Sequence, residues 1–348
     1  MGFSVQEMVK EPISEIPTRF LVDQEPCNVP DSSDSGGSSS VIPVVDLSSL
    51  LCAETKNFEL ERFHSTCKEW GIFQLVNHGV DCSMVEKLKH EIQEFYKLPV
   101  EERLSYKVRD GDFEGYGNTI ILSEGHKVDW ADRLYITTNP INRRKSHLFP
   151  QLPSPLRETI ESYISELQKL SMAIFGLIAE ALKIEYTEVE NMFENGMQAM
   201  RMTYYPPCPE PNKVIGLTPH SDASGVTILL QVNGVEGFQV KKDGVWLPVR
   251  FLPNAFVVNL GDVSEILSNG LYKSIEHRAI VNSEKERISF AMFFNPKFEA
   301  EVGPSPSVVR VDQPPLYRRM IMEQYVKDFF SQRLNGKTFL QYMKARRN

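Results

Sequence analysis

Two histidines and one aspartate carry the chemistry this sequence offers. His220-Ser221-Asp222 is followed by His277, 55 residues beyond Asp222. If His220 and Asp222 lie on a strand, positions two apart face the same side and converge on one point. A histidine from a distant strand then closes the set. Two imidazoles and one carboxylate on one face of a metal leave three positions open, as in the facial triad of non-haem Fe(II) oxygenases. The same ligands also suit zinc, so a zinc hydrolase is the chemical rival. A lone histidine is more often a packed or surface group, and His64, His78, His90, His126 and His147 are read that way.

Ten residues beyond His277 stands Arg287-Ile288-Ser289. On a strand running to Asn295, the residues Arg287, Ser289, Ala291, Phe293 and Asn295 share a face. An arginine fork grips a carboxylate bidentately, and a neighbouring hydroxyl adds a donor. A zinc hydrolase has no need of this pair. An oxygenase using 2-oxoglutarate does, because the distal carboxylate of that co-substrate requires a cationic anchor. Arg201, Thr203 and Tyr205 also share a face, and Tyr205 can offer its hydroxyl to the same carboxylate.

The elements that must position these residues follow from pattern. Short β-rich runs alternate with turns between Ala199 and Asn295, with Lys242-Asp243-Gly244 as a hairpin signal, which points to a sandwich or double-sheet barrel. Helices are expected at Glu59–Trp70, Met84–Leu98 and Leu156–Ile184, where apolar residues step by three and four. Val41–Asp46 reads as an edge strand, Trp70–Gly79 as a turn entering a strand, and residues 105–155 as loop-rich. The tail from Pro314 to Met343 is expected to be helical. Asp31–Ser40 contains nothing able to bury surface and reads as a mobile loop. The resulting division is an arm with its Ser/Gly loop over 1–40, a helical supporting region over 41–198, the core over 199–300 and a C-terminal helical segment over 301–348. Residues 41–348 are expected to form one compact unit.

The whole-chain numbers set limits. The chain has 348 residues, 41% hydrophobic and 24% charged, with 38 basic and 46 acidic residues for a net charge of −8. An acidic chain is a poor partner for nucleic acid or an anionic membrane. No apolar run reaches the ~18 residues that a membrane span requires. The five cysteines, Cys27, Cys52, Cys67, Cys82 and Cys208, are scattered and odd in number, which argues against a disulfide framework or a structural zinc site. With no secretory signal at the start, the expectation is a cytoplasmic protein with reduced thiols, and a monomer.

Several stretches together carry a resemblance. Arg201-Met202-Thr203-Tyr204-Tyr205-Pro206-Pro207-Cys208-Pro209, Gly216-Leu217-Thr218-Pro219-His220-Ser221-Asp222, Asn259-Leu260-Gly261-Asp262 and Glu276-His277-Arg278 resemble the plant 2-oxoglutarate/Fe(II)-dependent dioxygenase family. So do Cys67–Gly71, Val76–Val80 and Asp129–Asp132. The likeness is strongest to the branch with senescence-related dioxygenases and poppy alkaloid O-demethylases. It implies an α+β fold, a distorted double-stranded β-helix (jelly roll) packed by N- and C-terminal helices. It implies iron ligands at His220, Asp222 and His277, and co-substrate contacts from Arg287, Ser289 and Tyr205. Fe(II), 2-oxoglutarate, dioxygen and ascorbate as reductant are the implied cofactors. The implied reaction oxidises a small specialised metabolite or hormone by hydroxylation, O-demethylation or desaturation, releasing succinate and carbon dioxide.

Two positions depart from the family pattern. Thr203 stands where the family usually has Asn. Arg133 stands where relatives often carry an apolar or aromatic residue. Shared strand face nominates Phe293 and Asn295 for the substrate pocket, and resemblance nominates Arg133 and Tyr135; an anionic or carbonyl-bearing substrate would suit Arg133. Two other classes stay open: a non-catalytic jelly-roll protein that binds 2-oxoglutarate or another small molecule, and a metal-dependent non-oxidative enzyme on the same fold.

Overall fold

The computed structural model describes residues 4–13, 15–22, 42–118, 127–332 and 334–345. The Ser/Gly stretch and Cys27 lie outside them. In chain order the strands are β1 (Val44–Asp46), β2 (Ile72–Val76), β3 (Gly115–Gly117), β4 (Asp132–Asn139), β5 (Gln198–Tyr205), β6 (Leu217–His220), β7 (Val226–Gln231), β8 (Phe238–Lys242), β9 (Val245–Pro248), β10 (Phe256–Leu260), β11 (His277–Ala279) and β12 (Arg287–Phe294). They form an eight-stranded sheet, ordered β1-β2-β10-β7-β12-β5-β4-β3, and a four-stranded sheet, ordered β6-β11-β8-β9. β1 lies at the edge, paired in parallel with β2, and tolerates Pro43 beside it. The non-sequential strand order and the two sheets give the expected jelly roll.

Half of the large sheet comes from before residue 199. β1 to β4 extend it, so the region read as helical support also supplies strands. β4 is the main departure, because 105–155 was expected to be loop-rich. Its sequence, Asp-Arg-Leu-Tyr-Ile-Thr-Thr-Asn, lacks clean alternation. It is buried along most of its length between β3 and β5, and strands covered on both faces lose the period-two signal.

The 29-residue helix Ser154–Leu182 backs the large sheet. Ile160, Leu167, Ile174 and Ile178 along one stripe are fully buried, and Tyr163 packs edge-on against Phe256 of β10 and Phe290 of β12. Helix Cys82–Lys97 packs beside it, burying Leu88, Ile92 and Phe95. The tail is helical only in part: Met322–Phe330 and Thr338–Tyr342 are helices, with a short strand pairing before them.

Both flanks are tied to the core by polar contacts. Ser4 Oγ (2.5 Å) and the backbone N–H groups of Val5 (2.9 Å) and Gln6 (2.9 Å) all donate to the buried Asp132 carboxylate at the start of β4. At the other end, the Gly336 N–H donates to Pro219 O at 2.9 Å, and the Ser221 N–H donates to Gly336 O at 3.2 Å. Among the described residues the cysteines are free, with Cys67 and Cys208 buried.

Candidate active site

His220 ends β6, and His277 begins β11. The two are direct partners in the register of the small sheet, with ring centroids 4.4 Å apart. Each ring is oriented from behind. His220 Nδ1 donates to Thr218 O at 2.8 Å, and His277 Nδ1 to Ile275 O at 3.2 Å. A ring that donates through Nδ1 keeps its Nε2 lone pair for a metal. Asp222 is not on the strand with His220, as its spacing had suggested, because β6 stops at His220. A turn carries Asp222 across to the large sheet instead, where Thr227 Oγ1 (2.7 Å, β7) and Asn259 Nδ2 (2.9 Å, β10) donate to Oδ2. Its other oxygen, Oδ1, lies 3.4 Å from His220 Nε2 and 3.7 Å from His277 Nε2.

One ligand atom from each of the three residues lies within 4.8 Å of the others, and all three side chains are buried. His220 Nε2 has no hydrogen-bond partner among the described residues. Two nitrogens and one oxygen in this arrangement fit a divalent transition metal with open positions. The electrostatics agree. Burial holds the His277 imidazole down at about 4, so the ring is neutral at physiological pH. Burial works against charge on Asp222, yet the two imidazoles keep its carboxyl well below the usual range.

On one side of this cluster a narrow cleft leads to Arg287. β12 pairs with β5 so that Arg287 faces Tyr205 and Ser289 faces Thr203. The guanidinium lies over the Tyr205 ring, 5.1 Å from its centroid. Arg287 is 2% exposed, and its Nε and Nη2 have no hydrogen-bond partner among the described residues. A buried, unsatisfied guanidinium is costly unless an anion joins it. The cleft walls include Tyr205, Ser289, His277 and Asp222, so a chelating dicarboxylate fits between metal and arginine. Gly237 lets this wall close: its φ is +148°, and a Cβ there would stand 2.7 Å from Ile280 O and 3.1 Å from Arg287 Cδ.

On the other side lies a cavity of about 130 Å³. Arg133 and Tyr135 of β4, and Phe293 and Asn295 at the end of β12, all line it. The structure thus places the two residues nominated by strand face beside the two nominated by resemblance. Residue spacing did not reveal the far wall, which is helix Met322–Phe330 with Tyr325, Val326, Phe329 and Phe330. Phe330 stacks on Phe113 at 4.0 Å and meets Tyr135 at 5.6 Å. Arg201 was assigned a face but no role, and it lines both spaces. Thr227 was missed as well; the signal available was its register opposite Asn259, a residue of a quoted motif.

Comparison with known proteins decides the class. Residues 196–296 match the 2OG-Fe(II) oxygenase superfamily, and residues 42–155 match the non-haem dioxygenase in morphine synthesis N-terminal family. The chain is 49% identical to Protein SRG1 of Arabidopsis thaliana over 97% of this chain and 94% of that protein. The chain belongs to the 2OG-Fe(II) oxygenase superfamily. It is 47% identical to codeine O-demethylase of Papaver somniferum, over 98% of this chain and 95% of the relative. The crystal structure of JOX2 in complex with 2OG, Fe and JA shares the fold at TM-score 0.89 and 34% identity, covering 99% of this chain and 98% of that one. This chain is thus a 2-oxoglutarate- and Fe(II)-dependent oxygenase, and the non-catalytic and non-oxidative alternatives fall away.

Proposed function

We propose that His220, Asp222 and His277 hold Fe(II), that Arg287, Ser289 and Tyr205 hold the distal carboxylate of 2-oxoglutarate, and that the substrate occupies the cavity bordered by Arg133, Tyr135, Phe293 and Asn295. The observation that carries this reading is the junction itself. Three converging ligand atoms stand between a cleft ending in an unsatisfied arginine and a cavity walled by aromatic rings.

Bound Fe(II) supplies the redox chemistry that couples dioxygen and 2-oxoglutarate decarboxylation to substrate oxidation, with ascorbate as the reductant. The chain supplies the rest. Thr218 O and Ile275 O fix the imidazole tautomers. Thr227 and Asn259 hold Oδ2 of Asp222 and leave Oδ1 for the metal. Arg287 and Ser289 set the direction in which the co-substrate enters. The Phe293, Phe329 and Phe330 rings exclude water and offer a face to an apolar substrate.

The substrate in this proposal is a specialised metabolite, and O-demethylation leads the outcomes because codeine O-demethylase is among the relatives. Hydroxylation and desaturation begin from the same attack on a C–H bond. We extend the proposal to a monomer working in the cytoplasm; no helix among the described residues is long and apolar enough to cross a membrane. The test is turnover of a metabolite extract by the purified Fe(II) protein with 2-oxoglutarate. Substrate-stimulated succinate and a product lighter by one methylene are expected. Equal succinate from Asp222→Ala would overturn the metal assignment.

A further inference from the structure

The substrate cavity is lined by two guanidinium groups, and the acid beside them there, Asp222, is one of the proposed metal ligands. Arg133 and Arg201 both line it together with His220 and Asp222. Neither forms an ion pair among the described residues, and Arg133 Nε is buried without a hydrogen-bond partner. The two repel each other. Asp129 borders a small recess with both and acts on Arg133, while its Oδ1 accepts from the Thr218 N–H at 2.9 Å and the Thr218 hydroxyl at 2.6 Å. Arg201 lies against the Phe293 ring, 5.5 Å from its centroid, so a π-face rather than an anion covers it.

The placement has a backbone cause. Arg133 on β4 stands directly opposite Thr203 on β5. Thr203 is short, and its hydroxyl is also buried without a partner. Arg133, Arg201 and Thr203 border that small recess beside the cavity together with Asp129, so the two departures from the family pattern are cross-strand neighbours. Two guanidinium groups and an unpaired hydroxyl stand against the single carboxylate of Asp129, which leaves the corner rich in donors and in excess positive charge. The rest of the cavity is apolar: Tyr135, Phe293, Val326, Phe329 and Phe330.

We propose that the substrate of this oxygenase is a carboxylic acid with a compact hydrophobic body, its carboxylate seated between Arg133 and Arg201 beside Thr203 and its body between the aromatic walls. This rests on the proposed function and names the substrate class for that site. Amines are disfavoured, because a cationic head would add a third positive charge to the corner. Neutral ethers and esters lack the charge that repays desolvating two guanidinium groups.

The test is binding of paired probes, aromatic and alicyclic carboxylic acids and their methyl esters, to the Fe(II)·2-oxoglutarate protein under argon by titration calorimetry. At least one acid is expected to bind about tenfold or more tightly than its ester, the value of one charge-assisted hydrogen bond. Arg133→Leu should remove most of that ratio, and Arg133→Lys should keep part of it; Arg133→Gln replaces the leucine variant if that does not fold. The proposal is overturned if no acid outbinds its ester, or if Arg133→Leu and Arg133→Gln preserve the ratio. Succinate release from 2-oxoglutarate, measured on the same preparation, separates the two claims. Release without acid preference refutes only this inference; acid preference without release refutes the proposed function instead.

Discussion

The two spaces that meet at His220, Asp222 and His277 are walled differently. The cleft toward Arg287 is bounded by β5, β7, β10 and β12, central strands whose ladders fix each side chain in register. The cavity on the opposite side takes one wall from β4 and another from helix Met322–Phe330, which returns from beyond the sheets. A ladder residue cannot move without breaking neighbouring hydrogen bonds, whereas a helix wall can be repacked by side-chain substitution. In the proposed reading, handling of the co-substrate sits on the rigid wall. The substrate cavity of that reading sets the adjustable helix wall against the ladder residues Arg133 and Arg201.

Substitutions on the two walls should therefore fail in different ways. The largest effect belongs at the junction. Asp222→Ala should reduce succinate formation to background, and chelation should do the same reversibly, with activity returning on Fe(II) addition; metal analysis of the purified variants checks both. Next come the groups that hold Asp222. Thr227→Val and Asn259→Leu should weaken iron about 10–100-fold, read by competition with a metal indicator, with bound enzyme still turning over. On the rigid wall, Arg287→Lys replaces a fork by a point charge and should raise KM for 2-oxoglutarate about tenfold. On the helix wall, Phe329→Ala should raise KM for the organic substrate severalfold and leave that for 2-oxoglutarate alone. If both constants move together in either variant, the distinction between the walls fails.

The smallest effect concerns pH. Burial keeps His277 at about 4, below the ordinary 6.5. As pH falls through 6.5 toward 4, the unfolded chain takes up a proton that the buried ring refuses, so metal-free protein loses stability in that window. His277→Gln should show a smaller drop in Tm between pH 7 and pH 5 than the parent.

The same contrast explains what could be read from residue order. His220, Asp222, His277, Arg287, Ser289 and Tyr205 lie in runs short enough for strand alternation and spacing to bring them together. Even there the reason given for Asp222 was incomplete, since its position depends on Thr227 and Asn259 rather than on the strand of His220. The helix wall was not legible. Phe329 and Phe330 fall in a tail expected only to be helical, and nothing local reports what their rings face. β4 was hidden for a related reason: burial on both faces erased its alternation. Arg133 was visible as an unusual residue, but its place beside Arg201 and opposite Thr203 became apparent only with the strand register.

The clasp on Asp132 has a consequence for how the enzyme assembles. The bond from the Val5 N–H to Asp132 Oδ1 joins residues 127 apart, and the adjoining residue is Arg133 of the cavity. Closing so long a segment costs conformational entropy before any contact repays it. The β4–β5 ladder that carries Arg133 pairs over a shorter separation, with Arg133 opposite Thr203. The N-terminal clasp should thus close late, over a ladder already formed, so that the arm locks the Arg133 strand in place rather than building it.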